Sequence, residues 1–137
     1  MSEEEVDTLL KQEGVGVLSM AIDGTPYSIP LSFGYDDDRL YFLLVGHSEE
    51  GKKMRFAERT EEANFLVFDV ASDSKWRSVI VNGHIGRITP EAWDRAREAM
   101  AENAYRPDLL TGVDVRSDPR VWELTVTEKS GRAVGTQ

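Results

Sequence analysis

"VGVLSMAIDGTPYSIPLSFGYDDDRLYFLLV", residues 15–45, carries the pattern of a β-meander. Its apolar and branched residues fall into three blocks, 15–22, 26–34 and 39–45, each of strand length and too short for an ordinary helix. Asp23-Gly24, between the first two blocks, is a two-residue hairpin signal, because both residue types tolerate the positive φ of a tight primed turn. Tyr35-Asp36-Asp37-Asp38 reads as a second turn, rich in side chains that hydrogen-bond their own backbone. Three antiparallel strands follow.

Upstream, "EEEVDTLLKQE" (3–13) places Val6, Leu9 and Leu10 at helical spacing behind Ser2, with Glu5 three residues on as in a capping box, and Gly14 marks the stop. Downstream, "GKKMRFAERT" (51–60) predicts a helix of two to three turns, and "ANFLVFDV" (63–70) and "WRSVIVNGHIGRIT" (76–89) two further strands joined by a polar loop at 71–75. Thr89-Pro90-Glu91 starts a helix, with Thr89 as N-cap and Pro90 at the first helical position, running to about Asn103. Pro107, Gly112 and Pro119 mark 106–119 as a loop, and "RVWELTVT" (120–127) is the last strand. The expectation is a mainly β (α+β) chain, one domain over 1–137, with six mostly sequence-adjacent strands in an antiparallel barrel and helices packed outside.

Composition narrows the function classes. A chain of 137 residues can bury one core but not separate cofactor and substrate domains, so an active site would need help from another subunit. Acidic residues outnumber basic ones 25 to 16, for a net charge of −9, which argues against nucleic-acid backbone binding. No run reaches the ~18 to 20 apolar residues of a membrane span, and the N-terminus is acidic where a secretory signal is basic; the expectation is a cytoplasmic protein. Cysteine is absent and the histidines are two, His47 and His84, too few for a His-based zinc cage, so no metal is expected.

Against this acidic background, "GHSEEGKK" (46–53) holds two of the five lysines. Glycine permits close backbone approach, hydroxyl and imidazole donate hydrogen bonds, and residues 51–53 would add helix N-terminal N–H groups and an ammonium, a set that suits a phosphate. On spacing alone Lys52 and Lys53 read more readily as the solvated first turn of a helix. In "WRS" (76–78), alternation turns Trp76, Ser78 and Ile80 to one face and Arg77 and Val79 to the other. Trp76 there either lines a flat ligand or plugs the barrel mouth. Trp93 and Trp122 read as packing residues. No nucleophile elbow, dinucleotide fingerprint, Walker loop or His-Glu-x-x-His motif is present, so any chemistry belongs to a bound cofactor.

Taken in order, "GVLSMAIDGTPYSIPLSFGYDDDRLYF", "GKKMRFAERTEEANFLVFDV", "WRSVIVNGHIGRI" and "ELTVTEKSGRA" resemble the pyridoxamine 5′-phosphate oxidase-like family, in particular its flavin-binding split barrels that include nitroimidazole-resistance proteins. The resemblance implies a six-stranded split barrel, a homodimer, and flavin mononucleotide (FMN) in clefts at the subunit interface, acting on a small-molecule substrate. It implies that Ile29, Pro30, Leu31 and Ser32 run beside the isoalloxazine ring, that His47, Ser48, Lys52 and Lys53 hold the phosphate, and that Trp76, Arg77 and Ser78 approach from the partner subunit. Lys53, which matches the Gly-x-Lys motif, is the expected phosphate contact. Related split barrels use a deazaflavin instead, or bind flavin or haem without turnover, and both are carried as alternatives. The arginine and histidine pattern of true pyridoxamine phosphate oxidases is not evident, so vitamin B6 oxidation is not assigned.

Overall fold

Ser2 opens the first helix through a reciprocal cap: its hydroxyl accepts from the Glu5 N–H at 3.1 Å, and the Glu5 carboxylate accepts from the Ser2 N–H at 2.8 Å. This helix, α1 (Glu3–Gln12), buries Val6, Leu9 and Leu10 and ends at Glu13, whose backbone is already extended, one residue before the glycine expected to stop it. The protein is described here from a computed structural model covering residues 1–44, 51–103 and 121–135. Two strands follow α1, β1 (Val15–Ile22) and β2 (Thr25–Asp36), joined at Asp23 and Gly24, whose φ values of 48° and 83° fit the primed turn read from their identities.

β2 runs two residues beyond its apolar block because Asp36 still pairs with Arg39, leaving Asp37 (φ 46°) and Asp38 to turn into β3 (Arg39–Leu43). Helix α2 (Lys52–Arg59) precedes the long hairpin of β4 (Ala63–Ser72) and β5 (Lys75–Arg87), which turns in two residues where the sequence suggests a longer loop. Pro90–Ala92 form a 3₁₀ turn ahead of α3 (Trp93–Ala101), and β6 (Val121–Val134) closes the fold. The expected loop at 106–119 falls wholly within 104–120, outside the described residues.

All six strands are antiparallel to their neighbours, in the ring order β1-β2-β3-β6-β5-β4. Ring closure is slight at one seam: β1 and β4 pair only over Val17–Ser19 with Leu66–Asn64, so the barrel splays there. Its interior is filled by Leu18, Met20, Ile29, Phe33, Leu40, Phe42, Phe65, Val67, Val79, Val81, Trp122 and Leu124, with α1 packed on the same core. The aromatic rings of Phe33 and Phe65 meet edge-on, centroids 5.0 Å apart. A second cluster on the outer side, Tyr41, Ile88, Ala92, Ala96, Ala99, Met100 and Val121, seats α3. The seat works because Gly34 has no side chain: a Cβ there would lie 2.7 Å from the Ala99 and Met100 backbone.

Candidate functional site

β2 pairs with β1 along its whole first two-thirds, Thr25 to Ser32, but with β3 only from Phe33 to Asp36. The side of Thr25–Ser32 that faces away from β1 therefore has no strand partner among the described residues. Register says which groups it presents. The Phe33 N–H bonds back to the Gly14 carbonyl at 3.3 Å, so alternation turns the odd-numbered residues of this stretch toward β1 and the even-numbered ones toward the open side. The open side accordingly carries the N–H of Ser28 and Ser32 and the carbonyls of Pro26, Ser28 and Pro30, the Ser32 carbonyl being taken up where the Phe33–Phe42 pair joins β3. Side chains alternate too: Ile29 is buried and Leu31 half-buried against the core, while Pro30 and Ser32 lie on the outer face opposite Val17 and Val15.

Helix α2 lies at the start of this strand. Lys52 and Phe56, one turn apart, both reach Tyr27: the Phe56 ring centroid is 5.0 Å from that of Tyr27, and the Lys52 ammonium stands 4.9 Å from the Tyr27 centroid and 5.9 Å from that of Phe56. Gly51 caps the helix with no side-chain hydrogen bond, so its first-turn N–H groups lack an acceptor from a capping side chain. At the other end Thr60 fastens α2 to β1: its hydroxyl accepts from the Ala21 N–H at 3.2 Å and donates to the Phe56 carbonyl at 2.5 Å. Arg87 of β5 donates to Glu58 at 2.7 Å and stacks 5.3 Å from the Trp122 ring, holding the exposed flank of the helix. Lys53 is half-buried on the same first turn.

Trp76, Arg77 and Ser78 lie elsewhere. They sit on β5, and β1 and β4 stand between them and β2, so one chain does not bring the two sets together. Trp76 and Ser78 face outward with Ile80, as alternation required, and Trp76 stands opposite Val70 on one side and Val134 on the other. Phe68, Val70, Ile80 and Val134 are exposed around it, and Val15 is exposed across the seam, an apolar field on the outer surface. Trp76 thus lies on that field and does not plug the barrel. Arg77 turns inward beneath it, 3.6 Å from Asp69 and donating to Gln12 at 3.2 Å. Beside this pair burial pushes the Glu13 carboxyl above its ordinary value, with the Asp69 charge adding to the rise and Arg77 opposing it.

The structure thus brings Lys52 to Tyr27, two residues before Ile29, sets Lys53 next to it on the helix, and leaves Trp76–Ser78 apart. His47 and Ser48 lie outside the described residues. Tyr27 was not singled out, although it shares a strand face with Ile29 and Leu31; its partner lies 25 residues further on, at a distance periodicity does not report. The polar cavity of about 270 Å³ lined by Lys11, Tyr35, Asp36, Arg95, Glu98 and Glu102 lies apart from the Tyr27 stretch and is spanned by the Arg95–Asp36 ion pair at 2.7 Å. Among the described residues no group of acidic and histidine side chains could hold a metal ion, and no helix is long and apolar enough to cross a membrane.

Strand order, the slight seam and the helix over the start of β2 define an antiparallel split barrel. The profile of the pyridoxamine 5′-phosphate oxidase family matches residues 2–133, and the chain belongs to that family. An uncharacterised protein of Rhizobium meliloti (strain 1021) is 26% identical over 83 residues, covering 61% of this chain and 52% of that one, so the alignment takes in about half of the relative's length. The fold is similar to that of an FAD-binding protein from Mesorhizobium loti (TM-score 0.75, 23% identity, 98% of this chain and 96% of that chain). It is also similar to a candidate 5-nitroimidazole antibiotic resistance protein from Bacteroides thetaiotaomicron (TM-score 0.73, 20% identity, 96% and 84%).

Proposed function

We propose that this chain is an FMN-binding oxidoreductase that works as a homodimer, its cofactor lying between β2 and α2 of one copy and Trp76–Ser78 of another. The observation that carries this reading is the open side of β2. A run of backbone donors and acceptors without a strand partner among the described residues suits the pyrimidine edge of a flavin, which has one N–H donor flanked by carbonyl acceptors. The Pro30 carbonyl and the Ser32 N–H stand side by side there, an acceptor for the flavin N–H and a donor to one of its carbonyls. The first turn of α2, with Lys52 and Lys53 and no capping side chain, suits the phosphate. Both features support the reading.

The second copy follows from the apolar field. Phe68, Val70, Ile80 and Val134 are 42–61% exposed on one contiguous sheet face, a larger apolar display than single scattered side chains. In this reading the copy that covers it supplies the Trp76–Ser78 set that one chain leaves separate from β2.

When bound, the flavin supplies electron or hydride transfer to a small-molecule acceptor. The protein's part is to bind it by the β2 backbone and the α2 cations, and to exclude water from one ring face with Trp76. Purified protein should bind FMN with quenched or shifted flavin fluorescence and run as a dimer by light scattering. FAD, riboflavin and a deazaflavin titrated in parallel rank the alternatives. Protein that binds none of them, and gains no thermal stability from any, refutes the reading.

A further inference from the structure

Tyr27 sits where the two halves of this site meet. It is half-buried on the inward face of β2, two residues before Ile29, and its ring packs on Phe56 at 5.0 Å with planes tilted by 39°. The Lys52 ammonium stands over that ring at 4.9 Å. An exposed lysine at a helix start ordinarily spreads over many rotamers, and ordering it costs side-chain entropy. A ring face beneath the ammonium offers one preferred position and lowers that cost.

We propose that Tyr27 is a positioning residue for the cofactor's phosphate: its ring holds the Lys52 ammonium at the uncapped end of α2 and keeps that end in step with the Pro30–Ser32 backbone. This rests on the FMN reading above. The ring face does the positioning. The hydroxyl does not, so phenylalanine should replace tyrosine and an aliphatic residue should not.

The test compares FMN and riboflavin affinities by fluorescence titration, since the two ligands differ only in the phosphate. In Tyr27→Leu the preference for FMN should fall about two- to fivefold, with riboflavin affinity held within twofold, and Tyr27→Phe should keep the wild-type preference. Lys52→Met should lose the preference about tenfold or more, and adding Tyr27→Leu to it should change the preference no further. Tyr27→Met, which keeps apolar bulk against Phe56, stands in if Tyr27→Leu does not fold. An unchanged preference in Tyr27→Leu, or a further loss in the Lys52→Met background, overturns the inference and leaves the FMN reading standing. Wild-type protein with no preference for FMN over riboflavin overturns the phosphate reading and this inference with it.

Discussion

The Lys129 ammonium donates to the Asp7 carboxylate at 2.7 Å, joining β6 to α1 across 122 positions of sequence. The Tyr35 hydroxyl completes the cluster, 2.7 Å from both and 2.6 Å from the Asp37 carbonyl. Burial pushes the Asp7 carboxyl up, but the hydrogen bonds from Lys129 and Tyr35 outweigh it and hold the group below its ordinary value. Burial likewise disfavours the Lys129 cation and is outweighed by Asp7 and Tyr35, which raise it. Tyr35 is pushed up to about 12, chiefly by burial.

These directions set a pH window. A carboxylate depressed in the folded state stabilises above its unfolded value of 3.8, and that contribution is lost as pH falls through the lower folded value. Groups raised in the folded state stabilise below their unfolded values, so the Tyr35 contribution fades between 10.0 and about 12. The Lys129 contribution is lost as pH rises from 10.5 through its higher folded value. Lys129→Met should cost about 1 to 3 kcal/mol at pH 7 in urea unfolding, and the difference from wild type should shrink below pH ~4. An equal penalty at pH 7 and pH 3 contradicts the ion pair's role.

Asn103 ties the end of α3 to the first hairpin, its buried amide donating to the carbonyls of Gly14 at 2.8 Å and Phe33 at 2.7 Å. Asn103→Ala should cost about 2 to 3 kcal/mol because two buried acceptors lose their donor. Asn103→Asp should be worse at neutral pH, since a carboxylate would face two carbonyls, and should recover partly in acid. Thermal unfolding at pH 7 and pH 4 reads both.

Two glycines separate close approach from open space. Gly34→Ala would drive a methyl into the α3 backbone and should cost about 1 to 3 kcal/mol, whereas Gly86, with nothing within 4 Å of its added Cβ, should accept alanine within about 0.5 kcal/mol. Denaturant midpoints of the two variants decide it. Equal effects would mean that α3 is not seated on Gly34.

Phe68→Glu puts a charge into the apolar field. Light scattering should show a monomer with unchanged far-ultraviolet circular dichroism, and FMN affinity should fall at least tenfold, because in the proposed dimer half of each site leaves with the partner. A Phe68→Glu dimer with full affinity would remove this face from the proposed interface.

Lys53→Ala should weaken FMN about tenfold and riboflavin less than twofold, as expected for loss of a charge-assisted contact to phosphate. Equal losses for the two ligands would place Lys53 outside the phosphate grip.

Local rules made most of the strands legible. The Asp23-Gly24 turn, the Ser2 cap and the alternation of Trp76, Arg77 and Ser78 are properties of a few adjacent residues, and each appears as read. β6 was not legible beyond Thr127, because "EKSGR" at 128–132 is polar and glycine-bearing; it is strand because Trp76–Asn82 of β5 supplies a partner for each of Glu128–Val134. Ring order is equally non-local. Two strands stand between Ile29 and Trp76 on either arc of the ring, β1 and β4 or β3 and β6, and no spacing along the chain records it. The nearness of Lys52 to β2 depends on one aromatic pair, Tyr27 and Phe56, whose members are ordinary core residues by pattern.

An open strand side that receives a flat ligand is also a template on which any passing extended chain could add itself, the usual start of edge-to-edge aggregation. Pro26 and Pro30 are both even-numbered, so their missing N–H groups fall on the open side and cost the β1 ladder nothing. Two of the four donors a docking strand would need are thereby absent, while the Pro30 carbonyl and the Ser32 amide remain for a molecule only a few atoms wide. The proline spacing thus ill suits this side to a docking strand, while the groups left on it would still serve the heterocycle of the proposed function.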